Sequence, residues 1–274
     1  GPTMIRAAAK NVGWVCVAVD PYDYSTITDE LRSGEISFET RQRLSAKTFG
    51  HTAQYDTIIH NYLKEEDLSD NFSLSFKKHS ELRYGENPHQ SAAAYKIPGN
   101  NEPNILNATI HQGKQLSYNN IMDADGALAC VREFDAAACV VVKHSNPCGV
   151  AVGNDLLDVY TRAFSADSLS AFGGIIAFNR TCTKDVADAI TSVFVEIVLA
   201  PGFEPGALDV FKKKKNLRVL EIGEFGKRFK KSEVRNVDGG LLVQNTDTKI
   251  LSKDDLTVMT KAQPSEQDIE TALF

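Results

Sequence analysis

The chain has 274 residues, 42% of them hydrophobic, enough to bury a core in one or two domains. A formal charge of −6 argues against a nucleic-acid partner, and the lysine runs at 212–215 and 227–231 are short and isolated, reading as solvated faces. No apolar stretch reaches the roughly 20 residues that span a bilayer and the first residues carry no signal-peptide pattern, so no membrane contact and a cytoplasmic location are expected.

Taken in chain order, Arg6–Lys10 reads as a helical turn and Trp14–Val19 as a short apolar strand ended by Asp20-Pro21. From Tyr24 to Leu63 the pattern is helical and broken near Gly34, with Phe49, Ala53, Ile59 and Leu63 available for one buried face. Residues 64–80 are polar, charge-dense and aperiodic, which predicts a linker between a first part at 1–63 and a second at 81–274. Beyond it Ala124, Ala127, Leu128, Val131 and Phe134 recur at helical spacing, with the helix beginning near Asp123. Ala138–Val142 is a β-branched apolar run suited to a strand buried on both faces. A helix at Asp155–Ala166 follows, with Asp155 as its cap and Leu157, Tyr160 and Phe164 on one face. Strands at Ile175–Phe178, Val195–Leu199, Leu217–Leu220 and Leu241–Val243 alternate with helices near Lys184–Val193 and Ala207–Lys214, which argues for a layered α/β fold. The five cysteines (Cys16, Cys130, Cys139, Cys148 and Cys182) form no C-x-x-C pair, so neither a disulfide framework nor a structural zinc is expected, and no metal is predicted.

Chemistry concentrates where the strand at 138–142 runs into Lys143-His144-Ser145-Asn146-Pro147-Cys148-Gly149. Open α/β sheets bind ligands at the carboxyl ends of their strands. An imidazole there can relay a proton and an adjacent ammonium can stabilise charge growing on a carbonyl oxygen, although a Lys-His pair at a strand end is also a common structural arrangement. Three further stretches carry suitable groups. Leu82-Arg83-Tyr84-Gly85-Glu86-Asn87-Pro88-His89-Gln90 sets a guanidinium, a phenol and an imidazole around a turn, fit to clamp a phosphate or a flat ring, or to close a structural loop. In Leu116-Ser117-Tyr118-Asn119-Asn120 the last residue is either a helix-cap partner or a pocket amide. Ser170-Ala171-Phe172-Gly173-Gly174-Ile175 pairs glycines before a strand, for a sharp turn or a close approach to a ligand.

RYGENPHQ, LSYNN-x-x-D, VVVKHSNPCGVAVG and SAFGGIIAFNR, in this order, closely resemble the formyltransferase part of the bifunctional purine-biosynthesis family that joins AICAR formyltransferase to IMP cyclohydrolase. FVEIVLAP, RVL, GGLLVQ and QPSEQ extend the resemblance forward, and RAAAKN, DPYDY and FGHTAQYD extend it back into the cyclohydrolase part. It implies the C-terminal part of a methylglyoxal-synthase-like domain, followed by the first cytidine-deaminase-like subdomain of the formyltransferase. It also implies transfer of a formyl group from 10-formyltetrahydrofolate to AICAR, giving FAICAR, and closure of FAICAR to IMP with loss of water. His144 is implied as the proton acceptor, Lys143 as the transition-state stabiliser and Lys10 as the proton-transfer residue of ring closure. Arg83, Tyr84, His144, Gly173, Glu196 and Asn120 are implied as nucleotide contacts. Family chains are longer at both ends, so each active site is expected to be partly present, and a homodimer is implied. The competing expectation is a non-catalytic nucleotide-binding or dimerisation fragment. A nicotinamide-dependent oxidoreductase lacks G-x-G-x-x-G after a strand, and a zinc deaminase lacks H-x-E with P-C-x-x-C.

Overall fold

The structure is a computed structural model and describes residues 1–226 and 231–273; most of the second lysine run lies outside the described residues. The chain forms two compact units, one from residues 1–102 with 116–119, the other from residues 103–115 with 120 onward.

The first unit holds α1 (Pro2–Lys10), α2 (Tyr24–Ser33) and α3 (Phe38–Leu63), then a hairpin of β1 (Lys77–Leu82) and β2 (Ala92–Lys96). A proline in the first turn suits α1, because that amide has no partner inside the helix. Gly34, at φ 133°, ends α2, and Ser37 caps α3 by accepting the Thr40 amide. The Glu30 carboxylate, receiving the Ser37 amide at 2.7 Å, ties the two ends together. The buried face of α3 is not the apolar one expected. Thr40, Leu44, Ser45, Thr48 and Thr52 are buried, whereas Ile59 and Leu63 are exposed. Short side chains let α1 approach closely enough for Ser45 to donate to the Ala9 carbonyl at 2.7 Å and for Arg6 to reach Thr52 at 3.2 Å. The expected strand at Trp14–Val19 does not form either. Val15–Ala18 carries neither helix nor strand and pairs with no strand among the described residues, so its apolar composition has no ladder to join. Residues 64–76 carry neither helix nor strand, and β1 takes up the end of the stretch expected as linker.

The second unit is built on a six-stranded sheet. In chain order its elements are β3 (Thr109–Gln112), α4 (Tyr118–Val131, whose first two residues count with the first unit), β4 (Ala137–Lys143), β5 (Asn146–Gly153), α5 (Leu156–Ala166), α6 (Ser168–Ala171), β6 (Ile175–Phe178), α7 (Lys184–Ile190), β7 (Ile197–Ala200), α8 (Pro205–Phe211) and β8 (Arg218–Glu221). A separate hairpin of β9 (Ser232–Val237) and β10 (Gly240–Asn245), then α9 (Glu266–Leu273), complete the described chain. The expected strand at Leu241–Val243 therefore exists, but in this hairpin and not in the main sheet.

Strand order is β3-β8-β7-β6-β4-β5, with β6, β7 and β8 parallel and the other pairings antiparallel. Cys139 and Val141 of β4 pack with Val159, Tyr160 and Ala163 of α5, while Ala138, Val140 and Val142, on the alternate face, are equally dry. Each fully buried valine of this run contributes about 1.5–3 kcal/mol by leaving water. Burial also pushes the Cys139 thiol well up, so it behaves as a small apolar side chain.

Two stability predictions follow from particular contacts. A Cβ at Gly149 would stand 1.9 Å from the Ala163 carbonyl oxygen, so Gly149→Ala must push α5 off the sheet. A loss of at least about 2 kcal/mol is expected, read as a lower urea midpoint. In the first unit the buried Asp23 carboxylate receives Lys47 at 2.6 Å and Arg43 at 3.0 Å, and chiefly the Lys47 hydrogen bond holds it below the usual carboxylate range. A depressed folded pKa contributes stability above the unfolded value that is lost as pH falls through the folded one. Asp23→Asn should therefore cost about 1–3 kcal/mol at pH 7, and the gap to the parent should narrow on acidification below about pH 4.

Candidate active site

β4 and β5 are joined by only two residues, His144 and Ser145, with φ 53° and 60°, and Lys143 pairs with Asn146 across the turn. Both positions are left-handed, as a hairpin turn matched to strand twist requires, yet neither is glycine. Each such residue costs about 1–3 kcal/mol and persists only where its surroundings hold it. The ladder on either side does so, and Asn146 Nδ2 adds a hydrogen bond to the His144 carbonyl at 2.9 Å. His144 is exposed, and its imidazole has no hydrogen-bond partner among the described residues.

Because β4 runs antiparallel to β6, its carboxyl end meets the amino ends of β6, β7 and β8. This modifies the expectation from strand polarity: the site edge is a carboxyl end for β4 alone. The edge is stitched by backbone, the Glu196 amide donating to Gly174 O and the Arg218 amide to Glu196 O, both at 3.0 Å. Lys143 Nζ donates to the carbonyls of Phe172 at 3.1 Å and Gly173 at 3.2 Å. An ammonium has three N–H groups, so one remains to point elsewhere. Gly173, at φ 70°, stands in a backbone conformation that side chains disfavour and in a tight space: a Cβ would lie 3.1 Å from the Phe194 ring and 3.2 Å from Lys143 Nζ, so those groups would have to shift. The Phe172 and Phe194 rings pack 5.4 Å apart beside it.

Glu196, just before β7, receives Asn120 Nδ2 at 2.9 Å and has the Arg218 guanidinium at 4.0 Å. Asn120 is buried in the first turn of α4, and its side-chain amide reaches across to Glu196. The helix starts at Tyr118, five residues earlier than expected, which moves Asp123 into its second turn. There Asp123 Oδ1 accepts from Ser145 Oγ at 3.0 Å.

Lys143, His144, Gly173, Glu196 and Asn120 thus share one edge of the second unit. Arg83, Tyr84 and Lys10 belong to the first. The RYGENPHQ turn closes on itself, the Gly85 amide donating to Gln90 O at 2.9 Å and the Asn87 amide to Gln90 Oε1 at 2.8 Å. The Arg83 guanidinium lies 5.8 Å from the Tyr84 ring centre, and Arg83, Pro88, His89 and Gln90 line an open groove. Lys10 is the exposed last residue of α1, where a cation suits the helix dipole. Reading the sequence missed Asp123, Ser145 and Arg218 as partners. Their signal was positional: each lies inside a motif singled out for other residues. Among the described residues no cluster of His, Cys, Asp or Glu has the grouping of a metal site, and no helix is long and apolar enough to cross a membrane.

Residues 8–274 match the family described as the AICARFT/IMPCHase bienzyme. The chain belongs to that family. Proteins named "Bifunctional purine biosynthesis protein PurH" are similar to it along its length. One from Acetivibrio thermocellus is 46% identical over 100% of this chain and 55% of its own. Those from Bacillus cereus and Bacillus anthracis are 49% and 48% identical over 98% of this chain and 53% of theirs. The chain therefore spans about half the length of the curated relatives it matches. Membership in this family agrees with the motif order and with the mixed α/β architecture.

The cradle around Lys143 gives a direct test. Gly173→Ala should displace the ammonium from its two carbonyls and lower stability by about 1–2 kcal/mol, since φ 70° does not suit alanine. Released from the cradle, Lys143 should be labelled faster by an acetylating reagent, read by peptide mass mapping. Unchanged labelling of a folded variant would count against the cradle.

Proposed function

We propose that this chain carries the formyl-transfer edge of an AICAR formyltransferase, the amine acceptor being AICAR and the co-substrate 10-formyltetrahydrofolate. The single observation that carries this is the Lys143–His144 pair: a cation fixed by two carbonyls, beside an exposed imidazole on a strained turn. The AICAR amine attacks the formyl carbonyl, and the free N–H of Lys143 meets the oxygen as negative charge grows on it. His144 takes the proton lost by the amine and returns it to the departing donor nitrogen, leaving FAICAR and tetrahydrofolate. The acceptor amine is weakened by conjugation into its ring, so alignment contributes as much as base strength. Gly173 would let the nucleotide approach backbone, Glu196 would accept from one of its hydroxyl or amino groups with Asn120 holding the carboxylate, and Arg83 with Tyr84 would bind phosphate or ring.

The same reading assigns Lys10 to proton transfer in closing FAICAR to IMP. It places residues 1–63 in a methylglyoxal-synthase-like cyclohydrolase part, residues 64–80 in a linker and residues 81–274 in a cytidine-deaminase-like formyltransferase part. A cytoplasmic homodimer that uses no metal and binds neither nucleic acid nor membrane belongs to this reading. A second reading, a nucleotide-binding or dimerisation fragment without turnover, is favoured by the lack of an orienting partner on the His144 imidazole among the described residues.

Formyl transfer should be measured for this chain and for a form extended to the relatives' length. His144→Ala should lower kcat by about 10²–10⁴-fold, the usual contribution of a positioned acid–base group. Turnover that survives this substitution unchanged sinks the assignment, and AICAR binding without turnover by either form selects the second reading.

A further inference from the structure

α4 faces the candidate site edge with three residues spaced three apart along the helix. Asn120 donates to Glu196, Asp123 accepts from Ser145, and Gly126 leaves the helix backbone close to the turn, since a Cβ there would come within 3.4 Å of the Ser145 carbonyl oxygen. Positions three apart are neighbours on a helix surface, so a single rigid element touches both ends of the edge. Neither Asp123 nor Ser145 has a place in the chemistry proposed above. Their bond, however, crosses from the helix to the one segment among the described residues where non-glycine residues hold a positive φ.

We propose that Asp123 is a positioning residue for His144, acting through Ser145. The Ser145 hydroxyl fixes the second left-handed residue of the turn to α4. With the Lys143–Asn146 pairing on one side and this tether on the other, His144 keeps one backbone orientation although its side chain is exposed. The carboxylate suits the task because a hydrogen bond to a charged acceptor is stronger than one between neutral groups. The inference deepens the formyl-transfer reading and rests on it for its kinetic consequence, though not for its structural one.

The test compares Asp123→Ala, Asp123→Asn, Ser145→Gly and the Asp123→Ala/Ser145→Gly pair, with folding checked by thermal melts. Ser145→Gly is informative because glycine relieves the positive φ while deleting the hydroxyl, so it separates turn geometry from tether. Asp123→Ala should lower kcat for formyl transfer about tenfold, the equivalent of one hydrogen bond to a charged group, with KM for AICAR within about twofold. Asp123→Asn, which still offers an acceptor oxygen, should recover part of that loss. The double variant should lose no more than the larger single loss, because both changes cut the same bond. Losses that multiply, or no loss on Asp123→Ala, overturn the proposal.

A second readout needs no turnover. The imidazole resonances of His144 in a ¹H–¹³C spectrum of the unliganded protein should shift or broaden in Asp123→Ala and in Ser145→Gly. If those resonances respond while no form transfers formyl groups, the tether stands and the formyl-transfer reading fails. If formyl transfer is intact and the resonances stay unmoved, the tether fails alone.

Discussion

Two consecutive left-handed residues at the end of a fully buried strand govern the edge at which the candidate chemistry sits. A two-residue hairpin fixes the register of β4 against β5 at Lys143–Asn146 and Val142–Pro147, before the register shifts by one residue at Val141, and the register decides which face each side chain takes. Lys143 is thereby carried to the edge with its ammonium over the Phe172 and Gly173 carbonyls, and His144 is lifted onto the turn itself. Glycine would make the same turn with less strain. Retaining an imidazole there means that the backbone cost is met by neighbours: the dry strand beneath, the Lys143–Asn146 pairing, and the polar contacts of Ser145 and Asn146.

Strand direction explains why the edge collects groups so far apart in sequence. Three parallel strands present their amino ends together, and the antiparallel β4 adds its carboxyl end to the same row. Residues 143, 173, 196 and 218 become neighbours because each stands at the corresponding end of its own strand. Parallel strands also require long crossovers, and α7 and α8 supply them while covering one face of the sheet. The polar row is backed by an apolar interior, where local interactions between charges weaken less than in water.

Much of the second unit was legible because burial there leaves a periodic trace. The continuous run at Ala138–Val142 read as a strand covered on both sides, and the alternation from Asp155 onward gave helices and strands to within a few residues, but β5, an exposed-edge strand of mixed polar, proline and glycine residues, was read as a turn. The first unit was less legible for a physical reason. Its α1–α3 contact is made by serine, threonine and alanine, which permit close approach but carry no hydrophobic signature, while the apolar residues near the end of α3 stay exposed. At the candidate site, the residue types Lys143, His144, Gly173 and Glu196 could be singled out by chemistry or by resemblance. The Asp123–Ser145 bond could not, since it joins two ordinary polar residues 22 positions apart and depends on where α4 begins. Arg218 was hidden likewise, as the first residue of a strand chosen for its apolar neighbours.

The polar row divides its tasks by exposure. Asn120 is buried and committed to Glu196, so the carboxylate is oriented from below by a group that water does not reach. Lys143 is half-buried and spends two of its donors on backbone, which fixes its direction without neutralising its charge. His144, at the rim, is held only through the backbone. In the proposed transfer an acid–base group has to meet two different nitrogens, and such an arrangement suits it, because a fixed backbone sets its distance while an exposed imidazole can turn between them. Rigidity placed in the sheet and helix, with freedom left to one ring, is the physical logic that the edge supports.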